Sequence, residues 1–590
     1  MSRSKTVLQA FAACLVAVAL FAPSAGAADK PSHVVIIVLD QARPDTITRY
    51  GMENVQRLQR DGTSFPNAIV GDMAAETVIS HNVITSGLFP RHMGWSNEVY
   101  RDTDNVLGGG AGSYYVTSSM SCAQFKSLIA HGNYDKLQDY LDSKFGEGSK
   151  FASISQKRTS ACTSGQTRAT DAEDIIFQIR GSAAPLTPDP NDDPTLRVSC
   201  DGRTSWRQPE TGNGPLPAYF QNTSDCTNRW WTWQGSGAYG TNAISPANLY
   251  PLDGDRFVPG FTPDHIGGDN WSADAAIRVI ENDPDWHGMM VSLGGIDKLG
   301  HMWGPEDQGE PGATPGSFAE IRHLPFVAKN ADAQVGHIVD ALDDKGLLDE
   351  TLIVITADHA AQTGNPFFGV LAPGVTSPTC PTTPSPSPPL FTGIRSDCNW
   401  YFGQETGTLR DEGYIDPSPA VAALRDRLEG NLDFSYQDTQ VAAFLHDTSL
   451  DKKREAAEAV LDMPGVMASY YINDDQDDYV RFGTNQMTGL ERAWFVQHSD
   501  QLVDTMANNS APDVVGITRT NVTYGVMGDH GGSQKLVQNI PMVFYGPGVG
   551  SRDSNREIRH VDVLPTILKT MGIAYDPSDL DGQAVTLSSP

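Results

Sequence analysis

Basic residues are scarce in this sequence: 42 Lys and Arg stand against 72 Asp and Glu over 590 residues, a formal charge of -30. Bulk charge of that sign repels a phosphate backbone, so a stable nucleic-acid partner is excluded and any phosphate chemistry must be concentrated in a local site. No Cys-x-x-Cys pair occurs, which leaves thiolate zinc and dithiol redox chemistry without support. Internal repeats, heptads and blocks of like charge are missing too, so solenoid and coiled-coil architectures fall away. What is present, 39% hydrophobic residues over this length, can build a large core.

Near the start, Arg3 and Lys5 precede an apolar run from Phe11 to Phe21, and Ala25-Gly26-Ala27 follows. That is the order of a secretory signal, and the run is shorter than the roughly 20 residues of a spanning helix. The expectation is residues 1–27 as a signal peptide cleaved after Ala27, with no membrane anchor afterwards and a secreted or periplasmic product. Six cysteines then remain (Cys122, Cys162, Cys200, Cys226, Cys380, Cys398), an even number suited to an oxidising compartment. Fifteen pairings are open, and nearest-neighbour pairing is expected.

Val34 to Leu39, Met289 to Leu293 and Leu352 to Thr356 are short apolar runs rich in β-branched residues, and read as buried parallel strands. Pro541 to Tyr545 is a fourth such run, and Ala328 to Asp343 carries Val335, Ile338, Val339 and Leu342 at helical spacing. Strand and helix alternate as in an α/β, doubly wound, mostly parallel sheet with helices on both faces. One large domain over 28–590 is expected, with insertions at about 102–269 and 365–513. The Pro/Ser/Thr run from Ala372 to Pro389 opens the second as an exposed loop.

The acids fall where this architecture places ligands. Asp40 ends the first strand, while Asp297 and Asp358 follow the second and third by a few residues, which brings all three to the carboxyl edge. Crowded carboxylates repel unless a cation neutralises them. His301 stands four residues after Asp297, on the same face of a helical turn; His359 follows Asp358 directly; His530 lies in a glycine-permitted turn, Gly528-Asp529-His530-Gly531-Gly532. Three Asp and three His predict two divalent ions, with zinc suited to the donors.

These segments carry a resemblance. Asp40-Gln41-Ala42-Arg43-Pro44-Asp45, Glu76-Thr77-Val78-Ile79-Ser80-His81, Asp297-x-x-Gly300-His301, Thr356-Ala357-Asp358-His359 and Asp529-His530-Gly531 follow the order of the alkaline phosphatase superfamily. The sequence looks most like the type I phosphodiesterase/nucleotide pyrophosphatase branch and its threonine-dependent alkaline phosphatase relatives. The resemblance implies that Asp40, Thr77, Asp358 and His359 hold one ion and Asp297, His301 and His530 the other. It also implies that Thr77 is a nucleophile passing through a phospho-threonine. A threonine hydroxyl is a poor nucleophile near neutral pH, and an adjacent ion lowers its pKa.

Two residues bear on the substrate, expected to be a small phosphate ester. Asn97 resembles the asparagine that donates to a non-bridging phosphate oxygen. Lys157 resembles the lysine of a Lys-x-Arg pair in threonine-type monoesterases, but Thr159 takes the arginine position and Arg158 is displaced by one. A monoester carries about one more negative charge than a diester near neutral pH, so the missing arginine tilts the reading toward phosphodiester or nucleotide pyrophosphate bonds. An alkaline phosphomonoesterase is the alternative, and two solvated surface cations are the bland reading of Lys157 and Arg158. No Cys-x-Pro-x-Arg or Ser-x-Pro-x-Arg nucleophile motif supports a sulfatase. A remoter alternative is a non-catalytic export whose Trp206, Trp230, Trp231 and Trp233 bind a glycan.

Overall fold

The computed structural model describes residues 30–155, 157–169, 264–303, 324–363, 419–473, 478–524 and 528–587, with short pieces between them. The signal segment, the Ala372 to Pro389 run, the side chains of the four tryptophans and those of Cys200, Cys226, Cys380 and Cys398 lie outside the described residues.

The strands of the two larger sheets are, in chain order, β1 (His33–Leu39), β2 (Thr63–Ser64), β3 (Lys150–Ser155), β4 (Ile175–Gln178), β5 (Glu210–Thr211), β6 (Trp286–Leu293) and β7 (Thr351–Thr356). Then come β8 (Leu432–Gln437), β9 (Gln440–Leu445), β10 (Val466–Asn473), β11 (Asp478–Thr484), β12 (Val514–Thr518), β13 (Met542–Tyr545) and β14 (Arg552–Asp553). The main sheet has nine strands in the order β14-β2-β13-β7-β1-β6-β3-β4-β5. β1 takes the middle because every residue of His-Val-Val-Ile-Ile-Val-Leu is buried, which only a strand covered on both faces allows. It pairs in parallel with β6 on one side and β7 on the other. β3 is parallel to β6 and β4 to β3.

All four expected runs are strands. The last, β13, is antiparallel to both β7 and β2. Its direction follows from where the chain stands beforehand: His530 is at the carboxyl edge of the sheet, so a strand beginning a dozen residues or so later enters from that edge and runs back. A core strand also comes from inside the 102–269 segment, because β3 joins the main sheet. Its Lys-Phe-Ala-Ser-Ile-Ser lacks an unbroken apolar run, yet Ser153 and Ser155 are buried with Phe151, Ala152 and Ile154, which is why periodicity does not separate it from the surrounding polar sequence.

The helices that matter below are α1 (Thr77–Ser86), α2 (Cys122–Gly132), α3 (Arg158–Gly165), α4 (Asp264–Asn282), α5 (Gly295–Trp303), α6 (Leu324–Asp344) and α7 (Leu450–Leu461). The expected helix over Ala328 to Asp343 is α6, and Val335, Ile338, Val339 and Leu342 enter the main core with β1, β6 and β7. Each such aliphatic contributes roughly 1.5–3 kcal/mol by leaving water. The strands β8-β9-β12-β10-β11 form a second, antiparallel sheet. One face buries Met467, Tyr470, Val515 and Ile517 with Val78, Ile79 and Val83 of α1, and the other buries Val441, Ala443 and Val514 with Ala456, Ala457 and Val460 of α7. α1 is thereby held by the second sheet while its first residue points at the edge of the main one. A Cys122–Cys162 disulfide, a nearest-neighbour pair, ties α2 to α3. Among the described residues no helix is long and apolar enough to cross a membrane.

Candidate active site

Three parallel strands deliver three carboxylates to one edge. Asp40 directly follows β1, and its N–H donates to Leu293 O at the end of β6 (3.1 Å). Asp358 follows β7 after one alanine, and Asp297 sits in the first turn of α5. One turn later His301 brings Nε2 to 3.0 Å from Asp297 Oδ1. His530 follows Gly528–Asp529, which pairs with Gln362–Thr363, and its ring stacks on that of His359 with centroids 3.7 Å apart.

Among the described residues, potential ligand atoms fall into three overlapping groups, each within 4.8 Å: Asp40, Asp358 and His359; Asp297, His359 and His530; and His301, Asp529 and His530. All six Asp and His residues expected from the sequence therefore meet. Asp529 is an addition that the turn expected around His530 did not single out; its place directly before His530 is the signal in the sequence.

These residues fit a cation. Asp40 Oδ1 and Asp358 Oδ2 are buried without a hydrogen-bond partner, a costly state for a carboxylate. Burial, then repulsion by Asp297 and Asp358, pushes the Asp40 carboxyl well above its usual range. His359 Nδ1 donates to Ala360 O (3.2 Å), so the neutral ring turns the Nε2 lone pair toward Thr77 Oγ1, 3.1 Å away. Burial holds that ring below its ordinary pKa, in the form that ligates. Burial, reinforced by His359 and His301, does the same to His530. Carboxylate oxygens and imidazole nitrogens are the donor set of a borderline divalent ion.

Thr77 is the first residue of α1, and Glu76, in extended conformation, is its N-cap. The helix N-terminus carries partial positive charge beside the Thr77 hydroxyl. His81, one turn on, donates from Nδ1 to Thr77 O (2.7 Å) and lies 3.6 Å from Asp358 Oδ2. The second sheet reaches the same place through the turn between β8 and β9: Thr439 Oγ1 donates to His530 O (2.9 Å) and Gln440 Nε2 to Glu76 Oε1 (3.2 Å). No local spacing marks that brace, because its partners lie 91 and 364 residues apart.

Lys157 is no surface cation. Its ammonium lies 2.6 Å from Asp40 Oδ2, 2.7 Å from Asp297 Oδ2 and 3.3 Å from Thr77 Oγ1. Burial disfavours its charge, but Asp297, Asp40 and Asp358 outweigh that and keep it protonated. Thr159, at the arginine position of the resembled pair, is buried in α3. Asn97 is fully buried; its Oδ1 accepts from Glu98 N (2.6 Å), and its Nδ2 has no hydrogen-bond partner. The adjoining Glu98 carboxylate acts on Glu76, which puts this segment on the Thr77 side of the site.

Residues 34–108 and 223–371 match the type I phosphodiesterase / nucleotide pyrophosphatase family. No curated protein sequence matches the chain. Among solved structures it is similar to a four-substitution variant of the alkaline phosphatase PafA, at 15% identity, with 94% of this chain and 98% of that one covered and a TM-score of 0.57. Wild-type PafA gives 15% identity, coverage of 95% and 99%, and a TM-score of 0.50. Human ectonucleotide pyrophosphatase / phosphodiesterase 5 gives 10% identity, coverage of 93% and 97%, and a TM-score of 0.48. The matched segments contain Asp40, Thr77, Asp297, His301, Asp358 and His359, and the fold is that of the solved phosphatase. Over 34–108 and 223–371 the chain is thus similar to the type I phosphodiesterase / nucleotide pyrophosphatase family, and its fold is that of a solved alkaline phosphatase.

Proposed function

We propose that the chain is an exported, dizinc phosphoric ester hydrolase that works through a phospho-threonine at Thr77 and prefers phosphodiester or nucleotide pyrophosphate bonds. The observation that carries this reading is the convergence on one hydroxyl: Thr77 Oγ1 lies 3.1 Å from His359 Nε2 and 3.3 Å from Lys157 Nζ at a helix N-terminus. Asp40, Thr77, Asp358 and His359 would hold one ion and Asp297, His301 and His530 the other, supplying Lewis-acid charge that acidifies the hydroxyl and stabilises the leaving oxygen.

Thr77 Oγ1 gives up its proton to solvent water and bonds to phosphorus as the ester P–O bond breaks, and the leaving oxygen departs with the electron pair and takes a proton from water. Water then attacks the phospho-threonine, frees Thr77 and releases a phosphate monoester from a diester substrate. Two inversions give net retention at phosphorus. Asn97 Nδ2 donates to a non-bridging oxygen, and the α1 N-terminus adds favourable partial charge. The N-terminal signal and the even cysteine count support export.

Lys157 favours a second reading, an alkaline phosphomonoesterase, because a cation already stands where a monoester's extra charge would fall. The test compares kcat/KM on p-nitrophenyl phosphate, bis-p-nitrophenyl phosphate and a nucleotide p-nitrophenyl ester, using zinc-loaded protein and the Thr77→Ala variant. Faster diester turnover that Thr77→Ala abolishes is the expected result. Faster monoester turnover selects the second reading, and full turnover by Thr77→Ala at unchanged metal content refutes the nucleophile.

A further inference from the structure

Between Asp40 and the first helix of the chain lies a residue that neither the ligand set nor the proposed mechanism uses. Gln41 is 2% exposed and adopts a φ of +67°, a left-handed conformation that a side chain other than glycine or asparagine rarely takes. What the conformation achieves is visible in its contacts. Its backbone N–H donates to Asp358 Oδ1 at 3.1 Å. Its side-chain Nε2 donates to Asp297 Oδ1 at 3.1 Å and to Gly528 O at 3.3 Å. One residue therefore touches three other ligand-bearing segments: the loop after β7, helix α5, and the strand leading to His530.

The path of the side chain is built for it. A Cβ on Gly300 would overlap the Gln41 carboxamide and stand 2.8 Å from its Cδ. The glycine of the Asp297-x-x-Gly300-His301 segment leaves the room through which Gln41 reaches Asp297. A Cβ on Gly528 would collide with the Gly300 carbonyl, so α5 and the His530 strand approach backbone to backbone at the same point.

We propose that Gln41 is a positioning residue: its carboxamide orients the Asp297 carboxylate for the ion held by Asp297, His301 and His530, and Gly300 is the space that admits it. The inference rests on the two-ion reading above. Asp297 Oδ1 is the oxygen that faces His301 Nε2 (3.0 Å) and His530 Nε2 (4.0 Å), while Oδ2 meets Lys157 Nζ (2.7 Å); the hydrogen bond that Oδ1 accepts from Gln41 fixes this rotamer and leaves the second lone pair of Oδ1 for the cation, the usual work of a residue behind a metal ligand. The link to Asp358 runs through the main chain and survives substitution of the side chain, so the two sites should respond differently.

The experiment uses chelator-stripped full-length protein titrated with Zn²⁺ by calorimetry, and with Co²⁺ by visible absorption, alongside Gln41→Leu and Gly300→Ala. Wild type is expected to bind two ions. Each variant is expected to weaken one of them ten- to a hundredfold, the usual cost of losing such a partner, to alter the absorption of one cobalt equivalent, and to leave the melting temperature of the stripped protein unchanged. Wild-type affinities and spectra in both variants would overturn the assignment. So would an equal weakening of both ions accompanied by a lower melting temperature, which would make Gln41 a part of the fold alone. A wild-type protein that binds neither zinc nor cobalt sinks the two-ion reading itself and this inference with it.

Discussion

Replacing Lys157 by methionine keeps the length of the side chain and deletes its charge. The ammonium stands 3.3 Å from Thr77 Oγ1, so a non-bridging oxygen on a phosphorus joined to Thr77 comes within about 4 Å of it. At that separation, and at an effective dielectric of about 20, one unit of charge is worth about 4 kcal/mol. The Lys157 side chain retains 13% exposure, so some of this is screened. Roughly 2–3 kcal/mol of differential stabilisation is then left for the extra charge of a monoester, about a hundredfold in rate. In Lys157→Met, kcat/KM for p-nitrophenyl phosphate should therefore fall about a hundredfold further than kcat/KM for bis-p-nitrophenyl phosphate. A second arm checks the same contacts without substrate. In chelator-treated protein the substitution leaves Asp40 and Asp297 facing each other uncompensated, at about 3–5 kcal/mol, and added zinc should recover most of that loss in a denaturant titration. Equal falls on both substrates, together with unchanged stability of the metal-free protein, would refute the reasoning.

Reduction, or the paired change Cys122→Ser with Cys162→Ser, opens a loop of sequence separation 40 and should lower the unfolding free energy by about 4 kcal/mol in the chain-entropy model, read from denaturation with and without reductant. Asp269, buried in α4 and accepting from Gly295 N (3.1 Å), has its pKa pushed up by burial to about 8. Between the unfolded value of about 4 and that folded value the native state binds the extra proton, so this contribution is complete below pH of about 4 and is lost as pH rises toward 8. Metal-free wild type should lose stability over that window by an amount on the order of 5 kcal/mol, and Asp269→Asn should flatten the profile; parallel profiles would show that Asp269 does not titrate this way.

Much of the core was legible in the sequence because burial on both faces writes an unbroken apolar run. β1, β6 and β7 declare themselves, and the acids after them announce the edge at which a site forms. β3 did not, since its small buried serines imitate a polar segment. Lys157 was legible as a residue but not as an environment: a lysine between a glutamine and an arginine looks solvated, and only the folded chain puts Asp40 and Asp297 against it. The contributions of Gln41, Thr439 and Gln440 depend on partners 91 to 487 residues away, beyond any local spacing.

That last separation has a consequence for the life of the chain. Gln41 and Gly528 are 487 residues apart, yet they meet at the centre of the site. Closing such a loop is slow, because its entropy is lost before any contact repays it. A fragment that stops anywhere short of His530 can contain Thr77, Lys157 and all three strand-end aspartates and still lack one of the side chains proposed to hold the second ion. On the proposed function, hydrolytic competence arrives late, with nearly the whole polypeptide in place, and a truncated product is expected to be inert by construction rather than by inhibition.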